Sequence, residues 1–582
     1  MVDAMPAIPS LPRPGTDSGA SRTPVANAPA RKNPCAEPSL RPAPTGGARA
    51  EPWTTEPRTG EPRVADPRAT TAGPPPADAP TVPRIARTPE PETRPPLAWR
   101  RPVMQIRTLL LGLLGTALLA LGGIGAGGTL VRDPLIVDSA LSWVRYGHGR
   151  DLATGVVYVG VAFLVWAWVR LGREVRAERT NAHGVLTTVA AWVAPLVIAP
   201  PLFSRDVYSY LAQGNLALHG FDPYEVGPSV LPGPLTDNVS WLWQNTIAPY
   251  GPLFVLAAKG VVAVTGNSVI AGVLVMRLLM LTGLAMLCWA LPGLVRHLGG
   301  RTSVALWLAV ANPLALVHLV AGAHNDQLMI GLLALGTVFV LDRRHVAGIA
   351  LITLAAAVKA TAVVVLPFLV WVWASRLTGS PWSRFARAAG TGLAVFVGLF
   401  TTCTVLAGVD LGWISGLKTS AAIVNWLSLP TGLGMLAHSF VGLFVDVGYD
   451  PFIYTGRALG TLLLAYIGIR QWWAARDGDP REAVRRASIV LVAVAVLAHA
   501  TLPWYFTWAL ALAAGLTWRL SAMVPVVGGS VWLLLVTYPS GNSALESWGF
   551  LGGALLVSAL ASVSLVRHDP LGLSSRSGRA RA

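Results

Sequence analysis

From Thr108 onward the chain is a succession of apolar runs, separated by short connections in which arginine collects. Hydrocarbon offers backbone N–H and C=O groups no partner outside the chain, so runs of this kind fold as helices. A crossing needs about 20 predominantly apolar residues. Runs meeting or approaching that length occupy 108–130, 153–171, 184–203, 268–291, 302–321, 327–341, 346–358, 360–374, 387–408, 452–473, 486–500, 503–518, 521–537 and 548–566. Because 346–374 reads either as two helices or as one, the pattern predicts about 13 or 14 crossings. The expected fold class is an all-α polytopic membrane protein.

Arginine sets the orientation. Basic residues crowd Arg170–Arg179, Arg296–Arg301, Asp342-Arg343-Arg344-His345, Arg376–Arg387 and Arg470–Arg486. Cytoplasmic loops carry such an excess, so these connections are expected on the cytoplasmic side. The remaining loops, 204–267, 322–326, the tip at Lys359, 409–451, the tip at Pro503-Trp504-Tyr505 and 538–547, then share the outer face. Two apolar pieces, 252–265 and 429–446, would break the charge pattern if they crossed. They are expected as interfacial or re-entrant helices on the outer face.

The ends are different. Of the 45 prolines, 23 fall within the first hundred residues, so 1–103 is expected to be a disordered Pro/Arg-rich cytoplasmic tail. Met104 is an alternative start. The membrane domain is expected over 104–567, with a short basic cytoplasmic tail at 568–582. The net charge of +16 sits in the tail and short loops, which argues against a nucleic-acid partner. Three cysteines, Cys35, Cys288 and Cys403, form no disulfide or metal-ligand spacing.

The unusual polar clusters all fall on the expected outer face. Phe203-Ser204-Arg205-Asp206-Val207-Tyr208-Ser209-Tyr210 opens the longest loop directly after a span. Charge at a membrane boundary is costly to keep and marks a functional candidate. Asp206 could instead cap the following helix, as could Ser204. His324-Asn325-Asp326 fills a tight turn between two spans, where capping would explain Asn or Asp but not His. Lys359 interrupts an apolar run and must snorkel or meet an anion. Arg277, Lys418, Arg457 and His499 are further candidates, each also readable as an anchor. Trp504, Tyr250 and other outer-loop aromatics suit either an interfacial belt or the apolar face of a sugar.

One strong carboxylate candidate beside several cations suits glycosyl transfer from a lipid phosphate. The leaving phosphate needs positive charge rather than a general acid. The acceptor hydroxyl needs a base, and a carboxylate serves. Hydrolysis through paired carboxylates would require a second acid across the bond, for which Asp326 stands as an alternative. No nucleotide-sugar or P-loop glycine motif is present in the sequence, which fits a lipid-linked donor.

At these residues the chain resembles a known family. Ser204-Arg205-Asp206-Val207-Tyr208-Ser209-Tyr210, Gln213-Gly214, Gly220-Phe221-Asp222-Pro223-Tyr224, Ala248-Pro249-Tyr250-Gly251-Pro252 and Ala323-His324-Asn325-Asp326 resemble GT-C glycosyltransferases. More closely, they resemble the actinobacterial polyprenyl-phosphomannose-dependent α-1,6-mannosyltransferases of lipomannan and lipoarabinomannan synthesis. The resemblance implies a GT-C helical bundle with its active site at the outer face of the plasma membrane. It implies a polyprenyl-phosphomannose donor, a lipid-anchored mannan acceptor, membrane lipids as surroundings, and inversion at the sugar. Asp206 takes the place of the family's first-loop carboxylate as base, with His324 beside it in catalysis. Arg205, Tyr208, Tyr210, Asp222, Tyr250, Asn325, Asp326, Lys359 and Trp504 are the expected substrate-binding residues. The family often shows two acids together in this loop, whereas this chain has Arg205-Asp206, so no metal or other cofactor is expected. A GT-C enzyme with another donor, such as arabinofuranosyl phosphopolyprenol, and a lipid-linked sugar transporter or flippase are the alternatives.

Overall fold

The computed structural model describes residues 101–567, apart from the side chains of residues 420 and 421. The expectations for the Pro-rich segment before residue 101 and for the basic tail after 567 lie outside the described residues. Helices dominate. Extended pairing among the described residues is limited to two isolated bridges, Gly299 with Leu516 and Thr537 with Ser543.

Each run read from the sequence contains a helix, but not each helix is long. Six are long and apolar enough to cross a bilayer: Ile106–Ala126, Gly147–Arg176, Val269–Leu298, Pro381–Ala407, Asp450–Ala474 and Trp548–Val566. Ala315–Ala321 and Asp326–Leu341 form a pair bent by 110°, a seventh span if taken together. Shorter apolar helices include Ala182–Ile198, His345–Val358, Ala360–Ala374 and Leu520–Leu535. The difference from 13 or 14 full crossings has a physical origin. The middle runs are themselves short, bounded by His324-Asn325-Asp326, Lys359 and Pro503, and 302–321 is interrupted at Asn312-Pro313 between Thr302–Ala309 and Ala315–Ala321. Each interruption ends a helix, and the resulting short helices are buried by their neighbours rather than standing alone in lipid.

Close packing rests on small residues. Ile106–Ala126 and Gly147–Arg176 lie side by side, with Gly115 and Gly160 in direct backbone contact. Where apolar side chains gain nothing by leaving lipid, such close approach supplies the dispersion that holds helices together. Trp168 and Trp307 each donate an indole N–H to the other's backbone carbonyl, at 3.0 and 2.9 Å, tying the second long helix to Thr302–Ala309. Arg277 is fully buried and donates to the carbonyls of Val197, Ala199, Val320 and Ala321. It thereby fixes the end of Ala182–Ile198 to the π-helical turn Ala315–Ala321.

The two ends of the bundle differ in chemistry. At one end the Arg-rich connections meet: Arg296 and His297 both reach Asp342 at 2.6 Å, Arg301 pairs with Glu178 at 3.1 Å, and Arg376 donates to Val340 and Leu341. At the other end the polar loops meet. Phe203 N–H donates to Pro539, Gly251 N–H to Val358, Ala248 N–H to Pro223, and Asn425 to Thr501. The division of loops read from arginine bias is therefore reproduced as two physical ends. The two apolar pieces form Pro252–Thr265, packed on Asp206–Leu218, and Leu429–Val441, packed on Asp450–Ala474.

Candidate active site

The polar-loop end contains a cavity of about 180 Å³. Its walls include Asp206, Tyr250, Lys359, Trp504, Tyr505 and Trp508. Among the described residues that line it, Asp206 is the one acidic side chain and Lys359 the one cation.

Asp206 reaches this wall through a strained entry. Phe203 has φ 58°, a left-handed conformation that non-glycine residues adopt rarely. Gly541, itself at φ 93°, packs against Ser204 and Arg205 and helps hold the turn. The helix Asp206–Leu218 follows at once. Its first N–H groups do not use the Asp206 carboxylate as a cap; Ser204 Oγ accepts from Asp206 N–H at 3.1 Å instead. The carboxylate is left for the cavity. Burial is the main influence on it and pushes its pKa up to about 6, against the opposing pull of Lys359 and with a further push from Asp326. It sits in the first turn of its helix, where the backbone dipole favours negative charge.

A second strained residue, Ala323 at φ 53°, precedes His324-Asn325-Asp326. Asp326 begins the helix Asp326–Leu341 and is fully buried. Both of its oxygens accept from Lys359 Nζ at 2.9 Å, and one also accepts from Trp508 Nε1 at 2.6 Å. Lys359 lies at the break between His345–Val358 and the turn Ala360–Val365. Its ammonium sits over the rings of Tyr505 and Trp508, at 4.9 and 5.4 Å. An ammonium has three N–H donors. Asp326 and the two rings orient Lys359, while its exposed fraction, 15% against 0% for Asp326, faces the cavity.

Tyr250 arrives by a close backbone approach. A Cβ at Gly251 would collide with the Ala357 carbonyl, so only glycine lets this loop lie against the segment before Lys359. Tyr210 packs edge-on against Tyr250 with ring centres 5.0 Å apart, and Phe254 completes the cluster. Trp504 forms another wall, and its Nε1–H has no acceptor among the described residues.

The structure thus brings Asp206, Tyr250, Lys359 and Trp504 to one cavity and places Asp326 and Tyr210 directly behind them. His324 is fully buried, with its ring edge-on to Trp504 at 3.8 Å, and does not line the cavity. Asn325 is buried next to it. Arg205 donates to the carbonyls of Thr129 and Asn238 at 3.2 and 3.1 Å and lies over the Tyr208 ring. Tyr208 donates its hydroxyl to the Gly128 carbonyl. Asp222 accepts from the N–H groups of Tyr224 and Asp410, at 2.8 and 3.1 Å. These three hold loops together and do not line the cavity. Arg457 donates to Thr431 and to the Ile423 carbonyl, and His499 meets Thr461. Trp508 is the wall residue that sequence reasoning missed. Its spacing of four from Trp504, after Pro503, was the available signal.

Among the described residues, no three His, Cys, Asp or Glu side chains gather as a metal-binding group.

Comparisons with known proteins converge on one family. Residues 109–375 match the family profile described as alpha-(1->6)-mannopyranosyltransferase, N-terminal domain, and residues 430–567 match the MptB C-terminal domain. Alpha-(1->6)-mannopyranosyltransferase A of Mycobacterium tuberculosis is 43% identical over 442 residues, 75% of this chain and 86% of that protein. Its namesake from Corynebacterium glutamicum is 32% identical over 469 residues, covering 77% and 96%. Alpha-(1->6)-mannopyranosyltransferase B of the same organism is 30% identical over 526 residues, covering 83% and 85%. No solved structure matches the chain.

Proposed function

The chain belongs to the alpha-(1->6)-mannopyranosyltransferase family, and on that premise we propose that it is an inverting α-1,6-mannosyltransferase. Its donor is a polyprenyl-phosphomannose, and its acceptor is the growing mannan of a lipomannan or lipoarabinomannan-type glycolipid. The reaction takes place at the outer face of the plasma membrane. That placement is supported by the position of the cavity at the end opposite the Arg-rich connections, which the positive-inside bias assigns to the cytoplasm.

The observation that carries the reading is the pairing of one carboxylate, Asp206, with one oriented ammonium, Lys359, on the walls of a single aromatic cavity. Asp206 takes the proton of the acceptor 6-hydroxyl. The oxygen then forms a bond to the anomeric carbon while the bond to phosphate breaks, and the electron pair leaves with polyprenyl phosphate. One displacement turns a β-linked donor into an α-linked product. Lys359 meets the charge that grows on the phosphate, where a preorganised cation is worth more than in water. Lys418 is exposed and does not line the cavity. Asp326 has both oxygens engaged, so Asp206 acts as the single base. No step calls for a metal.

The test supplies membranes containing the protein with labelled polyprenyl-phosphomannose and a short α-1,6-mannoside. Elongation above an empty-vector control is expected. Transfer from an arabinofuranosyl donor but not from the mannosyl donor would overturn the choice of sugar.

A further inference from the structure

A second cavity, of about 600 Å³, lies at the opposite end of the bundle, where the Arg-rich connections meet. Arg173, Arg176, Arg179 and Arg301 line it, and no Asp or Glu does. Their surroundings differ. Arg176 donates to the Leu565 carbonyl at 3.0 Å, and Arg301 donates to the Val175 carbonyl at 3.1 Å and pairs with Glu178. Those two guanidiniums hold the walls in place. The nearby Glu174 is turned to the other side of its helix, where it accepts from Thr108 Oγ1 at 2.5 Å. The guanidiniums of Arg173, on the helix, and Arg179, just past its end, have no carboxylate or carbonyl partner within hydrogen-bond or ion-pair distance among the described residues.

Two helices also begin at this cavity. Thr302–Ala309 and Leu520–Leu535 both lack a side-chain cap, and Val304, Leu520 and Met523 from their first turns line the space. Uncapped helix N-termini present free N–H groups and positive partial charge, which suit an anion. Four guanidiniums outnumber the nearby carboxylates Glu174 and Glu178, and their mutual repulsion is relieved when an anion enters. Leu565 and Val566 add an apolar wall on the side of the last span.

We propose that this cavity binds the phosphate headgroup of an anionic phospholipid from the leaflet on the Arg-rich side. Arg173 and Arg179 grip the phosphate, the two helix N-termini complete its shell, and the apolar wall takes the glycerol and first acyl carbons. Bidentate guanidinium geometry matches phosphate oxygens. The bound lipid joins the second and last long spans to the starts of Thr302–Ala309 and Leu520–Leu535, so it acts on the stability of the bundle rather than on the chemistry at the far end.

The test measures thermal unfolding of the purified full-length protein with phosphatidylglycerol, phosphatidylcholine or inorganic phosphate added. Phosphatidylglycerol should raise Tm by several degrees and phosphatidylcholine should not. The shift should fall by more than half in the Arg173→Gln/Arg179→Gln variant and return in Arg173→Lys/Arg179→Lys. Arg179→Gln alone, at an exposed position, keeps the test decisive if the double variant does not fold. Equal shifts in wild type and the Gln variants would overturn the site. Inorganic phosphate as effective as the lipid at equal concentration would overturn the headgroup assignment.

Discussion

Lys359 places its ammonium 2.9 Å from both carboxylate oxygens of Asp326, 33 positions earlier in the chain. Asp326 is fully buried and Lys359 opens onto the cavity. Removing one member of such a pair strands a buried charge. Asp326→Ala should therefore lower stability, by less than the ~3–5 kcal/mol of a fully buried pair because Lys359 opens onto the cavity, with transfer activity lost as Lys359 swings free. Asp326→Leu combined with Lys359→Met should recover most of the Tm but none of the activity. Recovery of activity in that double variant would show that Lys359 has no part in the reaction. Thermal unfolding and initial rates measured on the same preparations decide it.

The titration of Asp206 predicts the pH profile. A base must be ionised, and burial raises this carboxyl to about 6. The acid limb of kcat/KM should therefore turn near pH 6 rather than near 4. The sign for stability is opposite. With a folded pKa above the unfolded one, Asp206 contributes most below the unfolded value, and that contribution is lost as pH rises through about 6. Asp206→Asn, which mimics the protonated form, should hold or raise Tm at pH 7.5. An acid limb near pH 4 would contradict the assignment.

Arg205 is engaged by two backbone carbonyls, of Thr129 and Asn238. Arg205→Ala should lower stability, by about 1.5–3 kcal/mol for each charged hydrogen bond lost. The donor KM of the protein that remains folded should be unchanged. A selective rise in donor KM with an unchanged Tm would place Arg205 on the phosphate.

Trp504 offers the cavity a flat ring and an N–H, and His324 fixes its angle from behind. Trp504→Ala should cost about tenfold in kcat/KM, equivalent to ~1.4 kcal/mol. His324→Phe keeps the edge-on packing and should retain most activity, whereas His324→Ala should behave like Trp504→Ala. If His324→Phe abolishes turnover while Tm is kept, the imidazole itself takes part.

Much of this was legible in the chain. Apolar runs located the helices, and arginine bias separated the two ends, because both reflect one-dimensional rules about lipid and charge. Asp206 and Lys359 stood out because a charge beside or inside an apolar run has few innocent explanations. What the chain could not show was the partnering. Nothing local reveals that Asp326 belongs to Lys359 and Trp508, or that Arg205 is spent on Thr129 and Asn238, since those contacts join distant segments. Asp222 looked like a ligand for the same reason, and its two backbone partners lie on separate loops. Helix length was overread at 302–321, where the chain breaks between Thr302–Ala309 and Ala315–Ala321, whereas the breaks at His324, Lys359 and Pro503 fall between the runs, where the chain had marked them.

The most direct measurement is single-turnover mannosyl transfer by Asp206→Asn at saturating donor and acceptor, beside wild type of equal Tm. Loss of a positioned general base predicts a rate at least about a hundredfold lower, with donor binding retained. A variant that transfers mannose at the wild-type rate would contradict the assignment of Asp206 as the base.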